Sequence, residues 1–81
     1  MEYKNTQIKS KFSGVKVHQN AYVDPSAELH DGVIISQGAI IGPNVTIGEN
    51  TIIGAHSLVT KSIPDNALAV GVPAKIIKKL K

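Results

Sequence analysis

The stretch Val17–Ile63, VHQNAYVDPSAELHDGVIISQGAIIGPNVTIGENTIIGAHSLVTKSI, carries one pattern from end to end. Written in sixes, it places Val17, Val23, Leu29, Ile35, Ile41, Ile47, Ile53 and Val59 in a single column of branched aliphatics. Four residues after each comes a second, mostly small column: Ala21, Ala27, Val33, Ala39, Val45, Thr51, Ser57 and Ile63. Between the two stand Asn20, Ser26, Gly32, Gly38, Asn44, Asn50, His56 and Ser62, mostly the types that tolerate a left-handed backbone at a tight corner. Neither a helical period of 3.6 nor a strand period of 2 holds such a register over so many units. A six-residue repeat predicts an all-β solenoid, in which short strands alternate with corners.

Three sixes close one 18-residue coil with three flat faces. The aliphatic points inward on each face, and the position two before it also points inward, where the triangle is narrow and a small side chain fits. Pro25 and Pro43 fall at corners, where a missing donor and a fixed φ do little harm. The pattern accounts for about three coils, a prism about 13 Å tall at the usual strand spacing.

The units IGPNVT, IGENTI and IGAHSL resemble those of the hexapeptide-repeat acyltransferases. The resemblance implies a left-handed parallel β-helix and a homotrimer. Spacing alone does not give the hand, because most crossovers between parallel strands are right-handed.

With 81 residues, the chain is one domain near the size where burial only just offsets chain entropy. It has no cysteine, so neither disulfides nor thiolate metal sites can staple it. No apolar run approaches the ~20 residues of a membrane span, and the start lacks the hydrophobic block of a signal peptide. A cytoplasmic location is the expectation. All nine basic residues are Lys, and none lies in residues 17–60, where Asp24, Glu28, Asp31 and Glu49 supply the charge. With one Phe, two Tyr and no basic stripe interleaved with aromatics, nucleic acid is not an expected partner.

Residues 1–16 read as a leader covering the open end of the core, with Phe12 as its plug. Residues 17–64 form the β-helix, and residues 65–81 form a cap. Within the cap, Ala67–Val70 reads as a strand, Gly71-Val72-Pro73 as a turn, and Ala74–Leu80 as a short helix begun by Pro73. Ile76, Ile77 and Leu80 would be its buried side. Residues just before each inward aliphatic point outward: Lys16, Ile34 and Ile52 on one face, Tyr22, Ile40 and Leu58 on the next, Glu28, Thr46 and Pro64 on the third. Two adjacent faces therefore expose aliphatics, which suits a threefold ring assembled through Ile34, Ile52, Ile40 and Leu58.

Residues 51–80, TIIGAHSLVTKSIPDNALAVGVPAKIIKKL, resemble the C-terminal end of the galactoside and maltose acetyltransferases and related sugar O-acetyltransferases. The shared pieces are the IGA-x-S-x-VTK-x-IP run and the later G-x-PA-K/R-x-I. In that family this end binds the acetyl-CoA donor. The resemblance carries donor contact onto Gln37, Gly54, Ala55, Thr60, Lys61, Lys75 and Lys78. Lysine ammonium groups suit the phosphates of CoA, and small residues let its pantetheine arm lie against the wall. The implied function is acetyl transfer from acetyl-CoA to a hydroxyl or amine, as on a sugar.

The chain departs from the family between its two ends. It has neither the His-Pro of the galactoside type nor the Ile-x-His-Asp hexad of others; His30-Asp31 is similar to the latter, but His30 directly follows an inward aliphatic. Three histidines remain as candidate general bases, a role imidazole suits near neutral pH. His56 stands foremost, inside the donor-like segment; His30 comes next and His18 last. No two of them lie one coil apart, so no metal site is expected. The alternative is a non-catalytic trimeric β-helix module that lacks the usual catalytic coil.

Overall fold

The computed structural model describes residues 14–81; the expected plug, Phe12, lies outside the described residues. Eight two-residue strands follow the hexads: β1 (Lys16–Val17), β2 (Tyr22–Val23), β3 (Glu28–Leu29), β4 (Ile34–Ile35), β5 (Ile40–Ile41), β6 (Thr46–Ile47), β7 (Ile52–Ile53) and β8 (Leu58–Val59). Each pairs in parallel with the strand one coil away, so β1–β4–β7 form the first face, β2–β5–β8 the second and β3–β6 the third. The ladder runs from coil to coil, as in Lys16 N–H to Val33 O at 2.9 Å and Ile34 N–H to Thr51 O at 3.0 Å.

Both predicted inward columns are buried along their full length, from Val17 to Ile63. Leu29, Ile35, Ile41, Ile47 and Ile53 are wholly inaccessible, and each such side chain contributes about 1.5–3 kcal/mol by leaving water. Gly32, Gly38, Asn44, Asn50 and His56, with Asn66 beyond them, have left-handed backbones at the corners. Asn20 and Ser26 turn without it. At Asn20 the backbone N–H instead donates to His18 Nδ1 at 3.2 Å, and at Ser26 to Asp24 Oδ2 at 2.9 Å.

Two expectations change in the last coil. After Val59 the register shortens from 18 residues to 16: Ile63 bridges Ile47, and Leu68 pairs with Ile52. Ile63 thus joins the aliphatic column, not the small one. Ser62, not Pro64, stands over Thr46, whose N–H donates to Ser62 Oγ at 2.9 Å. Between Val59 and Ile63 the corner and small residues of a full hexad are missing and Ser62 takes the outward place, so the coil tightens as it ends.

The second change concerns the cap. Ala74–Leu80 is not a helix; Ala74–Lys79 is strand β10, antiparallel to β9 (Ala67–Gly71), and the two form a hairpin at the top of the first face. The Val72–Pro73 peptide within its turn is cis. β9 pairs with β7 along one edge and leaves the other open, and backbone pairing to that edge outcompetes a short helix with nothing to dock on. Ile76, Ile77 and Leu80 are consequently exposed, not buried. The hairpin is tied to the core by two polar members of the small column. Thr51 Oγ1 donates to Pro64 O at 2.7 Å and accepts from Ala67 N–H at 3.3 Å, and Ser57 Oγ accepts from Gly71 N–H at 3.1 Å.

Candidate functional site

The positions picked out by sequence fall into four places. Gln37, Gly54, Ala55 and His56 share the corner between the first and second faces, on successive coils, with His56 N–H donating to Gln37 O at 2.8 Å. Gln37, Ala55 and His56 are exposed. Gly54 is not open in the same way: a Cβ there would run into the Val70 side chain of the hairpin. The small residue at 54 therefore makes room for β9, and the open part of this corner is Ala55 with Gln37 beneath it.

Thr60 and Lys61, both exposed, stand at the next corner, past β8. Lys75 and Lys78 lie on β10, opposite Val70 and Leu68. Since Leu68 stands over Ile52, this side of β10 continues the outward side of the first face. The corner of Lys61 is the one vertex of the triangle that does not border that face. Within one subunit, Lys75, opposite the Val70 that covers Gly54, stands above the Gln37–Ala55 corner, Lys78 stands above Ile52 on the adjoining face, and Lys61 is on another vertex.

The histidines are not brought together. His56 has left-handed backbone (φ 58°), and its ring lies over Gly38, where any Cβ would collide with it. His30 is at the corner after the third face, with Nε2 2.6 Å from Glu28 Oε2. Glu28 was missed as a functional candidate, although the spacing Glu28-x-His30 was visible. Such a carboxylate fixes the orientation of an imidazole. His18 is buried, and its Nδ1 caps the Asn20 N–H. That assigns it to the corner's structure.

The second face ends in a small anionic network. Asp24 Oδ2 accepts from Ser26 Oγ at 2.5 Å and from Ser26 N–H at 2.9 Å, and Ser26 Oγ accepts from Asn44 N–H at 2.8 Å. The Ser26 hydroxyl, then its backbone N–H, hold the Asp24 carboxyl below its ordinary value.

Comparison with known proteins fits this geometry. Residues 27–61 match the family described as bacterial transferase hexapeptide (six repeats). No curated protein sequence matches significantly. Among solved structures, the chain is similar to a hexapeptide-repeat containing acetyltransferase from Vibrio cholerae (34% identity, TM-score 0.67, covering 68% of this chain and 31% of that one). It is also similar to a maltose O-acetyltransferase from Clostridium difficile (33% identity, TM-score 0.62, 83% of this chain and 49% of that one). A galactoside acetyltransferase solved in complex with coenzyme A matches at 31% identity and TM-score 0.62, over 83% of this chain and 46% of that one. The chain therefore spans less than half the length of each. A coil of opposite hand would not superpose at this level, so the chain winds in the same sense as these enzymes, the left-handed sense the resemblance implies. The repeat, the stacked parallel strands and these matches together make the chain a member of the hexapeptide-repeat proteins, on the β-solenoid that these acetyltransferases share.

Proposed function

We propose that the chain works as an acetyl-CoA-dependent acetyltransferase acting on a hydroxyl or amine, such as that of a sugar, and that its upper coil and hairpin form the donor end. The observation that carries this is the likeness to the galactoside acetyltransferase solved with coenzyme A, which extends over 83% of this chain. The donor's pantetheine would lie along Gln37 and Ala55, both exposed on one corner, with Lys75 and Lys78 above them meeting phosphates. Lys61, on the vertex away from that face, and Thr60 beside it would join from another copy.

A threefold ring supports this arrangement. Ile34 and Ile52 are half-buried on the first face, Ile40 is exposed and Leu58 half-buried on the second, and each face is a continuous aliphatic strip. Assembly through them removes these strips from water and brings a neighbour's corner to the donor. In the transfer itself, His56 or His30 takes the proton of the acceptor hydroxyl or amine as its oxygen or nitrogen attacks the thioester carbonyl. The C–S bond then breaks, and the histidine returns the proton to the CoA thiolate.

Calorimetry with CoA tests the donor reading. Affinity should fall with added salt and fall further in Lys61→Ala, Lys75→Ala and Lys78→Ala. Equal affinity for CoA and for its phosphate-free pantetheine fragment would count against it. A protein that binds CoA but cleaves no thioester with any sugar acceptor would instead be a non-catalytic trimeric module.

A further inference from the structure

Among the described residues, four of the six exposed large apolar side chains lie on the hairpin or just after it: Val72, Ile76, Ile77 and Leu80. The other two, Tyr22 and Ile40, lie on the second face. The hairpin's register is broken once. Ile76 stands opposite Ala69 and Lys78 opposite Leu68, so Ile77 is the extra residue of a β-bulge. Ala69 and Ile76 belong to the inward side of the sheet, and alternation puts Ile77 on the outward side with Lys78. The bulge thereby adds Ile77, 61% exposed, to the column Ile34–Ile52–Leu68. That column rises over the whole first face.

Charge decides what can cover this surface. Residues 66–81 contain four Lys and no Asp or Glu, whereas residues 17–60 contain four carboxylates and no Lys. Two hairpins meeting about a twofold axis would set lysine against lysine. A hairpin meeting the coil body of another copy would be attracted, and on that body the exposed apolar face is the one with Tyr22, Ile40 and Leu58. Contact between two unlike surfaces is heterologous and can close into a ring.

We infer that the β9–β10 hairpin is an intersubunit arm, seating Leu68 and the bulge residue Ile77 on the second face of another copy of this chain. The inference rests on the assembly reading above and adds to it the element that sets which surfaces meet.

Because the chain has no cysteine, paired thiols can report the contact cleanly. Ile77→Cys is mixed under oxidising conditions with Leu58→Cys or with Ile40→Cys, after thermal melts show each variant folded. A disulfide needs Cα atoms within about 7 Å, so the expected result is cross-linking between unlike partners and none in Ile77→Cys alone. Self-cross-linking of Ile77→Cys would overturn the inference in favour of a twofold contact. No cross-link in any mixture, with the wild type trimeric in sedimentation, would remove the hairpin from the interface and leave the assembly reading standing. A monomeric wild type would overturn both. Ile77→Asp supplies a second readout: it should weaken the trimer at least tenfold, with Ile77→Leu close to wild type.

Discussion

The His56 ring lies directly on Gly38, one coil below it, in space that any larger residue at 38 would fill. The two are 18 residues apart and share one corner, so the solenoid repeat itself sets the orientation of a candidate catalytic side chain.

Gly38→Ala should therefore do two things. With φ at 70°, an L side chain at 38 is strained by about 1–2 kcal/mol, which thermal melting would register. It also displaces the ring of His56. If His56 is the base, activity should fall well beyond the loss expected from stability alone; a melt that drops with turnover unchanged would take His56 out of the chemistry.

The two histidines can be ranked directly. Loss of a general base costs about 10²-fold or more in turnover, so comparing His56→Ala with His30→Ala on a panel of sugar acceptors should show that loss in one of them only. If it falls on His30, Glu28→Gln should reproduce part of the loss, because the carboxylate 2.6 Å from Nε2 holds the ring in place.

Asp24 gives a pH signature of the fold. Its carboxyl is held below the ordinary value of 3.8 by Ser26, so the folded state binds fewer protons than the unfolded chain near that pH. The resulting stability is present above the unfolded value and is lost as pH falls through the lower folded value. In Ser26→Ala this acid-side loss should shrink, and the gap in melting temperature between variant and wild type should narrow as the pH falls, down to the part due to the lost Asn44 N–H bond. A constant difference from pH 7 to pH 2 would contradict it.

Thr51→Val keeps the shape of a buried side chain and deletes its two bonds to the hairpin base. Leaving Pro64 O and Ala67 N–H without that partner should cost about 1–3 kcal/mol. The loss should appear as faster amide exchange in β9 and β10 than in β4 and β5. Uniform protection would show that β7–β9 pairing and the Ser57 bond hold the hairpin without Thr51.

The solenoid was legible because its two inward columns repeat without slip from Val17 to Val59, and burial follows the same count. Where the count changes, local sequence was a poor guide. Ile63 sits at the right interval for the small column, and only the shortened corner at Thr60–Ser62 moves it over Ile47. Ala74–Leu80 has helix-compatible spacing, and the strand state of Ala74–Lys79 depends on the free edge of β9, a tertiary fact. The site was legible as residue types at a shared corner. The covering of Gly54 by Val70 and the pairing of Glu28 with His30 needed the packed side chains.

The 18-residue coil also imposes an arithmetic on length change. β9 rests on β7, and its inward residues Ala67 and Ala69 leave little for another coil to stack on, so growth belongs inside the body and not above it. A whole coil inserted near Asn50 would raise the hairpin by one strand spacing and leave it on the same face. A single hexad would turn everything above it by one face. Lys75, Lys78 and Ile77 would then look out over different neighbours, although not one of them had been altered.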